Sequence, residues 1–315
     1  MPRENELELI YSFNQYTFGM EFEMKYVQRS YVAELVRRFF EVSSRAVRHD
    51  NHYDSYWIVD KLGRRWRVMS DGSLSDGNKG CELVTPILTY SYDYKDLLDL
   101  IDFIKNNSLA ITDSECGIHI HIGAEEFTTK QIVNIQKLWY CYEDLIFKAL
   151  KVEESRYKYC KKSDELFIQK LKDIKDTWSL SREKLKDLWY EDCSDSPDYK
   201  YNQTRYQSLN LHSLFTKRTI EFRLFNGTLE RDLIHSYLQF ILAFVRYAIS
   251  LKRPRFTKIV KENEKYVMRS FLRNMKLNGE TFRVCRKVFL ENLSGDLVNS
   301  RLKDWLIFFV YKIVE

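Results

Sequence analysis

Long apolar runs are missing from this chain of 315 residues. The longest extends from Trp305 to Tyr311, whereas a membrane-spanning helix needs about 20 apolar residues. The amino terminus lacks the apolar stretch of a signal peptide. The six cysteines show no C-x-x-C spacing, which argues against a structural zinc site or a disulfide framework. We therefore expect a cytoplasmic protein with no membrane partner.

A strong charge of one sign is also absent. The formal net charge of +5 permits contact with an anionic partner but does not require one. The composition is 44% hydrophobic and 15% aromatic, which is ample for a core and argues against a disordered chain. The length allows one large domain or two small ones.

Three stretches alternate apolar and ionisable residues, and alternate side chains of a β-strand share one face. In T-I-E-F-R-L-F, for example, Ile220, Phe222 and Leu224 are expected on the apolar face. Like carboxylates on one face repel unless a cation or a proton lies between them. If the strands join one sheet, its polar face forms a metal or anion site. The ionisable pairs are Glu21 with Glu23, His119 with His121, and Glu221 with Arg223.

The rest of the sequence predicts helices and strands in alternation, with a glycine-rich loop at residues 71–80. This loop lacks the G-x-x-x-x-G-K-[ST] spacing of a phosphate-binding loop. A charged segment at 151–200 predicts one or two inserted helices, and whether it is a lid or a plain insert stays open. Strands are expected at 7–27, 56–59, 65–69 and 81–85, and helices at 30–49, 91–107, 128–150, 230–250 and within the basic segment 258–315.

Six segments in order resemble the amidoligase family, a branch of the glutamine-synthetase-like carboxylate–amine ligases. They are F-G-M-E-F-E, D-G-S-L, C-E-L-V-T-P-I-L, C-G-I-H-I-H-I-G, R-Y-Q-S-L-N-L and T-I-E-F-R-L-F-N-G-T, spread over residues 18–228. The resemblance implies an α+β fold with a curved, mainly antiparallel sheet of the glutamine-synthetase-like catalytic type and helices on its outer face. Residues 1–250 would form the catalytic domain, including the insert, and 251–315 a helical extension packed on it.

The same resemblance implies an ATP-dependent ligase that forms an amide or peptide-type bond through an acyl phosphate. Its partners would be a carboxylate substrate and an amine acceptor, which can be a small molecule, a peptide or a protein side chain. Arg223 would hold the transferred phosphoryl group. The Mg²⁺ or Mn²⁺ ligands would come from Glu21, Glu23, Glu82, Glu221 and one of the two histidines, His119 or His121. The resemblance leaves open which histidine this is, and that histidine would also touch the nucleotide phosphates.

Three further assignments come from other residues within these motifs. Arg205 is expected to stabilise the phosphate together with Arg223, and Asn210 to orient the nucleotide or the substrate. Asp71 is the candidate group that takes the proton of the attacking amine.

Two other function classes are open at this point. His119, His121 and Glu125 form an H-x-H-x-x-x-E pattern typical of a cupin-like metal-dependent oxygenase or isomerase. The flanking glycines of that motif are absent, and no proline begins its P-x-G half. The basic, aromatic segment 258–315 is the alternative basis for a non-enzymatic nucleic-acid-binding protein, which is not favoured because it leaves the ionisable strand pairs unexplained.

Overall fold

A computed structural model describes residues 3–43, 47–50, 54–74, 80–174, 179–254, 256–259 and 262–296. Within these residues the chain forms one antiparallel sheet of nine strands in the order β2-β3-β4-β5-β1-β7-β9-β8, with β6 paired to β1. The two ends of this order do not meet, so the sheet is open. The strands are β1 Thr17–Met24, β2 Val47–Asp50, β3 Ser55–Val59, β4 Arg65–Met69, β5 Cys81–Val84, β6 Leu88–Thr89, β7 Gly117–Gly123, β8 Leu209–Asn210 and β9 Thr219–Asn226.

Helices cover one face of this sheet. The second helix packs on β3 and β4, and the eighth packs on β7. The mixture of helices with an antiparallel sheet confirms the predicted α+β class. The helices are α1 Glu4–Phe13, α2 Arg29–Phe39, α3 Tyr90–Asn107, α4 Thr129–Ala149, α5 Glu165–Asp173, α6 Arg182–Tyr190, α7 His212–Lys217, α8 Arg231–Ser250, α9 Glu264–Asn274 and α10 Arg283–Leu290.

The core lies between the covered face and the helices. Phe222 of β9 is fully buried, and its ring centroid lies 5.0 Å from that of Trp139 on α4 and 5.9 Å from that of Phe244 on α8. Helix α8 is long and apolar enough to cross a membrane, but 67% of its apolar window is buried inside the protein. It is therefore the central core helix of this fold.

Two secondary-structure predictions near the amino terminus are wrong. Residues 7–13, predicted as part of the first strand, belong to α1, because Leu9 and Phe13 lie one turn apart and are both buried against the core. The helix predicted to run to residue 49 ends at Phe39, because Glu41 adopts a left-handed φ of 50°. Residues 47–50 form strand β2 instead.

The hairpin of β3 and β4 confirms the strands predicted at 56–59 and 65–69, and in its turn Gly63 has a φ of 76° that favours glycine. The insert contains the helices α5 and α6, as expected. The predicted carboxy-terminal helices appear as α9 and α10, which pack on α8 through Phe271 and Phe289 around Phe240. The glycine-rich loop is described except for residues 75–79, and the predicted helical segment beyond residue 296 lies outside the described residues.

Candidate active site

Four adjacent strands carry the predicted ionisable side chains on the face that the core helices leave open. The register places Glu21 of β1 opposite His119 of β7, and His121 opposite Glu221 of β9. On the other side of β1, Glu23 lies opposite Glu82 of β5. Directly opposed residues of antiparallel strands lie close enough for their side chains to touch. The structure therefore brings the paired residues of separate motifs into one cluster.

A register shift interrupts the pairing of β7 with β9. It falls between Ile118 and Ile120, so that Phe225 pairs with Ile118 while Phe222 pairs with Ile120. Phe225 stacks on Tyr237 of α8 at 4.5 Å and so takes a core position. Leu224 is buried in the core as predicted, and Phe225 joins it there, because one extra residue of β9 is accommodated beside His119.

The first candidate cation group consists of Glu21, His121 and Glu221, whose ligand atoms all lie within 4.8 Å of one another. His121 Nε2 is 3.1 Å from Glu21 Oε1 and 3.8 Å from Glu221 Oε1. The other ring nitrogen, Nδ1, is 3.0 Å from the Thr219 hydroxyl, which orients the imidazole. One nitrogen is thus held by the protein while the other faces two carboxylates.

Two further groups continue the cluster along the face. Glu21 and Glu82 converge with His119, and Glu23 and Glu82 converge with Asp71 of the glycine-rich loop, again with ligand atoms within 4.8 Å. His119 Nδ1 is 2.9 Å from Glu21 Oε2. The three groups share members, so they form one continuous row, and each histidine belongs to a different group. Asp71 lies in this row, and its Oδ1 accepts a hydrogen bond of 2.7 Å from the Ser73 N–H.

The carboxylates differ in charge state. Burial works against the charge on Glu21, but Lys217 and His121 outweigh it and hold the pKa of Glu21 well below its ordinary value. Burial likewise opposes ionisation of Glu221, and the positive Arg223 with His121 overcomes it, so the pKa of Glu221 is strongly lowered. Both groups are therefore ionised at neutral pH.

The other two acids behave in the opposite way. Burial, reinforced by the negative Asp71, raises the pKa of Glu23 to about 8. Burial and the neighbouring carboxylates Glu21 and Asp71 raise the pKa of Glu82 well above its ordinary value. Burial beside Arg223 lowers the pKa of His119 to about 4, so its imidazole is neutral. Protons bound to Glu23 and Glu82 therefore neutralise part of the negative charge of this row of carboxylates.

Arg223 is buried and forms a hydrogen-bonded ion pair with Glu221. Its Nε lies 3.3 Å from the carbonyl oxygen of Tyr159, which belongs to the insert. Arg156, also from the insert, donates to the carbonyl of Arg223 at 3.0 Å and lies 3.8 Å from Glu23 Oε2. Its guanidinium fills the space in which Gly117 would carry a Cβ, at 2.1 Å, so a side chain there would displace it.

Asn210 lies directly behind Glu221. Its Nδ2 donates to Glu221 Oε2 at 2.6 Å, and its Oδ1 accepts from the backbone N–H of His212 at 2.7 Å. Both ends of the amide are thus engaged within the protein. The predicted contact of Asn210 with nucleotide or substrate stays a prediction, and the observed contact is with a candidate metal ligand.

Two cavities flank the row of carboxylates. The smaller, of about 290 Å³, contains Glu23, Asp71 and His119 on one side and Arg156, Arg205 and Arg223 on the other, with Tyr159, Tyr201 and Tyr206. The Arg205 guanidinium lies 5.5 Å from the ring centroid of Tyr201 and 5.5 Å from that of Tyr206. The structure therefore brings Arg205 and Arg223 to one cavity, as their shared predicted role requires.

The larger cavity, of about 610 Å³, lies at the other end of the row, next to Glu21 and His121. Pro86, Ile87 and Phe127 give it an apolar wall, and Arg67, Lys217 and Arg218 give it cations. Lys217 Nζ is 3.5 Å from Glu21 Oε1. The charges of Glu21 and Glu221 raise the pKa of Lys217 against the effect of burial.

Lys217 and Arg156 are the site residues that sequence reasoning missed. Lys217 carried a usable signal, because the K-R pair at 217–218 immediately precedes the strand of Glu221. Arg156 carried none, since it lies in a charged segment where basic residues are common and its site contacts are distant in sequence.

The cupin interpretation does not fit this geometry. In the described part of the chain, Glu125 joins neither histidine in a candidate cation group, and it forms an ion pair with Arg218 instead. The described strands also form a single open sheet, whereas a cupin is a double-sheet jelly roll. The interpretation of Glu125 as a third metal ligand beside His119 and His121 is therefore wrong.

The donor atoms fit hard divalent cations. Each group offers carboxylate oxygens, and two of the three add one imidazole nitrogen. Oxygen-rich sets suit Mg²⁺ and Mn²⁺, and an imidazole is more usual for transition metals than for Ca²⁺. The three overlapping groups lie between the two cavities. Cations bound there can contact a polyphosphate in one cavity and an acid in the other.

The family that the chain matches agrees with this chemistry. A family model described as "Putative amidoligase enzyme" matches residues 14–245, which include every strand described above. A comparison with curated proteins gave no match. Among solved structures, a bifunctional glutathione synthetase from Pasteurella multocida is similar at 13% identity and a TM-score of 0.46, over 90% of this chain and 49% of that one. The chain thus spans about half the length of that protein.

Proposed function

This chain belongs to the amidoligase family, carbon–nitrogen ligases that join a carboxylate to an amine, and on that premise we propose a mechanism through an acyl phosphate with divalent cations. The observation that carries the proposal is the row of three overlapping cation groups between two cavities. The proposal also covers the fold and the domains: a sheet of the glutamine-synthetase-like type, a catalytic unit at residues 1–250, and a helical extension at residues 251–315. A cytoplasmic location is also proposed, supported by six cysteines, all in the described residues, of which none forms a disulfide.

The larger cavity is the proposed ATP site. Its apolar wall of Pro86, Ile87 and Phe127 suits a nucleobase, and its volume of about 610 Å³ is typical of small-molecule and cofactor pockets. Lys217 would hold the phosphates at the point where the cavity meets Glu21 and His121. A lysine ammonium is a compact charge suited to phosphate oxygens.

The smaller cavity is the proposed site of the acid. Arg156, Arg205 and Arg223 supply the positive charge that would draw a carboxylate toward Glu23 and Asp71 once cations neutralise those acids. Its volume of about 290 Å³ favours a small acid or the tip of a larger one over a bulky ligand.

Glu21, Glu23, Glu82, Glu221, His119 and His121 would hold the divalent cations, which would supply positive charge to offset the charge of the phosphates. Arg223 and Arg205 hold the transferring phosphoryl group while a carboxylate oxygen of the acid attacks the γ-phosphorus and the bond to the bridging oxygen of ADP breaks. The amine nitrogen then attacks the acyl carbon, and the carbon–oxygen bond to phosphate breaks. Asp71 takes the proton that the nitrogen loses, and an amide, ADP and phosphate result.

Nucleotide products test this mechanism without knowledge of the true amine. Pools of amino acids and peptides are incubated with the protein, ATP, Mn²⁺ and hydroxylamine, which is small enough to replace the amine. An acyl phosphate predicts ADP and an acid-derived hydroxamate in equal amounts. AMP and pyrophosphate would identify an acyl adenylate and refute the mechanism.

A further inference from the structure

A buried chain of hydrogen bonds connects the insert to the candidate metal ligand Glu221. It starts at Tyr190, the last residue of α6, whose hydroxyl lies 2.6 Å from Nδ1 of His212. The backbone N–H of His212 donates to Asn210 Oδ1 at 2.7 Å, and Asn210 Nδ2 donates to Glu221 Oε2 at 2.6 Å. Tyr190, His212, Asn210 and Glu221 are each at least nine-tenths buried.

Helix α6 is itself held against the body of the protein. Trp189 donates to the Thr204 hydroxyl at 2.9 Å, and its ring lies 4.9 Å from that of Phe167 on α5. The Tyr190 ring packs edge-on against His212 at 5.8 Å and also near Phe215 at 5.8 Å. The hydroxyl of Tyr190 is thus placed by a packed helix and not by a surface loop.

We propose that Tyr190 is a positioning residue, through which the insert fixes His212 and Asn210 and so aims the Glu221 carboxylate at the cation site. The inference rests on the proposed function, since it takes Glu221 as a metal ligand. It makes the insert, which matches none of the family motifs quoted above, an integral part of the cation site.

The physical argument is one of orientation. Asn210 occupies one oxygen of Glu221 and Arg223 pairs with the other, so the plane of the carboxylate is set by these two contacts. If His212 is released from Tyr190, the start of α7 and the Asn210 amide gain freedom, and the carboxylate must be ordered when a cation binds. Groups that orient metal ligands typically affect metal affinity by about 10–100-fold.

Binding of Mn²⁺ alone, followed by electron paramagnetic resonance of the free ion, tests the inference without turnover. Tyr190→Phe keeps the packed ring and removes only the hydroxyl, so we expect Mn²⁺ affinity to fall about tenfold with an unchanged circular dichroism spectrum. Tyr199→Phe is the matched control, because it removes the same atom from an exposed ring of the same insert. Its affinity should equal that of the parent.

A double-mutant cycle separates this chain of contacts from a general effect of the insert. In the Asn210→Ala background the last contact is already lost, so adding Tyr190→Phe should change the affinity less than twofold. Asn210→Ser replaces Asn210→Ala if the latter does not fold. An equal tenfold loss in both backgrounds, or parental affinity in Tyr190→Phe, would overturn the inference while leaving the cation site intact. A parent protein that binds no Mn²⁺ would instead refute the proposed site itself.

Discussion

Replacing Glu23 by glutamine should make the metal-free protein more stable at neutral and alkaline pH. Burial and Asp71 raise the pKa of Glu23 to about 8, so the folded protein keeps a proton there that the unfolded chain has lost. Between pH 4.5 and pH 8 the folded state therefore binds more protons, and the free energy of unfolding falls as the pH rises. Glutamine has the shape of the protonated acid and does not titrate.

The magnitude follows from the size of the shift. A pKa raised from 4.5 to about 8 corresponds to roughly 3.5 units, each of which is about 1.4 kcal/mol. Relative to its value below pH 4.5, the free energy of unfolding of the parent should thus fall by on the order of 3 kcal/mol at pH 7 and by on the order of 5 kcal/mol above pH 8 because of Glu23. The side chain is only 5% exposed, so solvent screens little of this effect.

Urea unfolding in the presence of a chelator, repeated from pH 5 to pH 8.5, measures the effect. The parent should weaken with rising pH by several kcal/mol more than Glu23→Gln. Glu21→Gln should behave oppositely and destabilise the protein at pH 7, because ionised Glu21 lies 2.9 Å from His119 Nδ1 and 3.5 Å from Lys217 Nζ. Glu291→Gln, at an exposed position, serves as the control.

Two outcomes would refute this account. Parallel pH profiles for the parent and Glu23→Gln would mean that Glu23 is already ionised in the folded protein. Equal destabilisation by Glu21→Gln and Glu23→Gln would mean that the two acids do not differ in charge state. Addition of Mn²⁺ should stabilise the parent but neither variant, since each lacks a proposed ligand.

Three other predictions address the site and the core. Arg223→Lys should retain Mn²⁺–ATP binding by calorimetry but lose about 10³-fold in turnover, because lysine lacks the planar fork of donors; near-parental turnover would leave Arg223 a structural role only. Lys217→Gln should weaken Mn²⁺–ATP binding about 10–100-fold, because a charge-assisted contact contributes about 1.5–3 kcal/mol. Unchanged affinity would mean that Lys217 does not contact the phosphates. Phe240→Ala should lower the free energy of unfolding by about 3–5 kcal/mol in urea, because its fully buried ring stacks on Phe289 at 4.0 Å, and a loss below about 1 kcal/mol would contradict this packing.

Much of the site could be read from local pattern. The alternation of E-F-E, H-I-H and E-F-R with apolar residues identifies three strands and their polar faces, because side-chain direction in a strand depends only on position along it. The long helices α3, α4 and α8 were predicted to within a residue or two for the same local reason. The order of motifs was enough to indicate the family that the comparison then confirmed.

Short apolar segments were less informative. Residues 7–13 fit a strand and a helix almost equally well by spacing, and the helix forms because Leu9 and Phe13 can both reach the core. The register shift beside His119 was likewise invisible, because it depends on how β9 meets β7 and not on either strand alone.

The tertiary structure alone decided which side chains meet and which charge each carries. Strand order and register join Glu21 to His119 and Glu23 to Glu82 across separations of many residues, and no local pattern specifies such pairs. Burial and neighbouring charges then divide the acids, leaving Glu21 ionised and Glu23 protonated. A pKa depends on solvent and on charges close in space, so two glutamates alike in sequence acquire opposite charge states only once the sheet has formed.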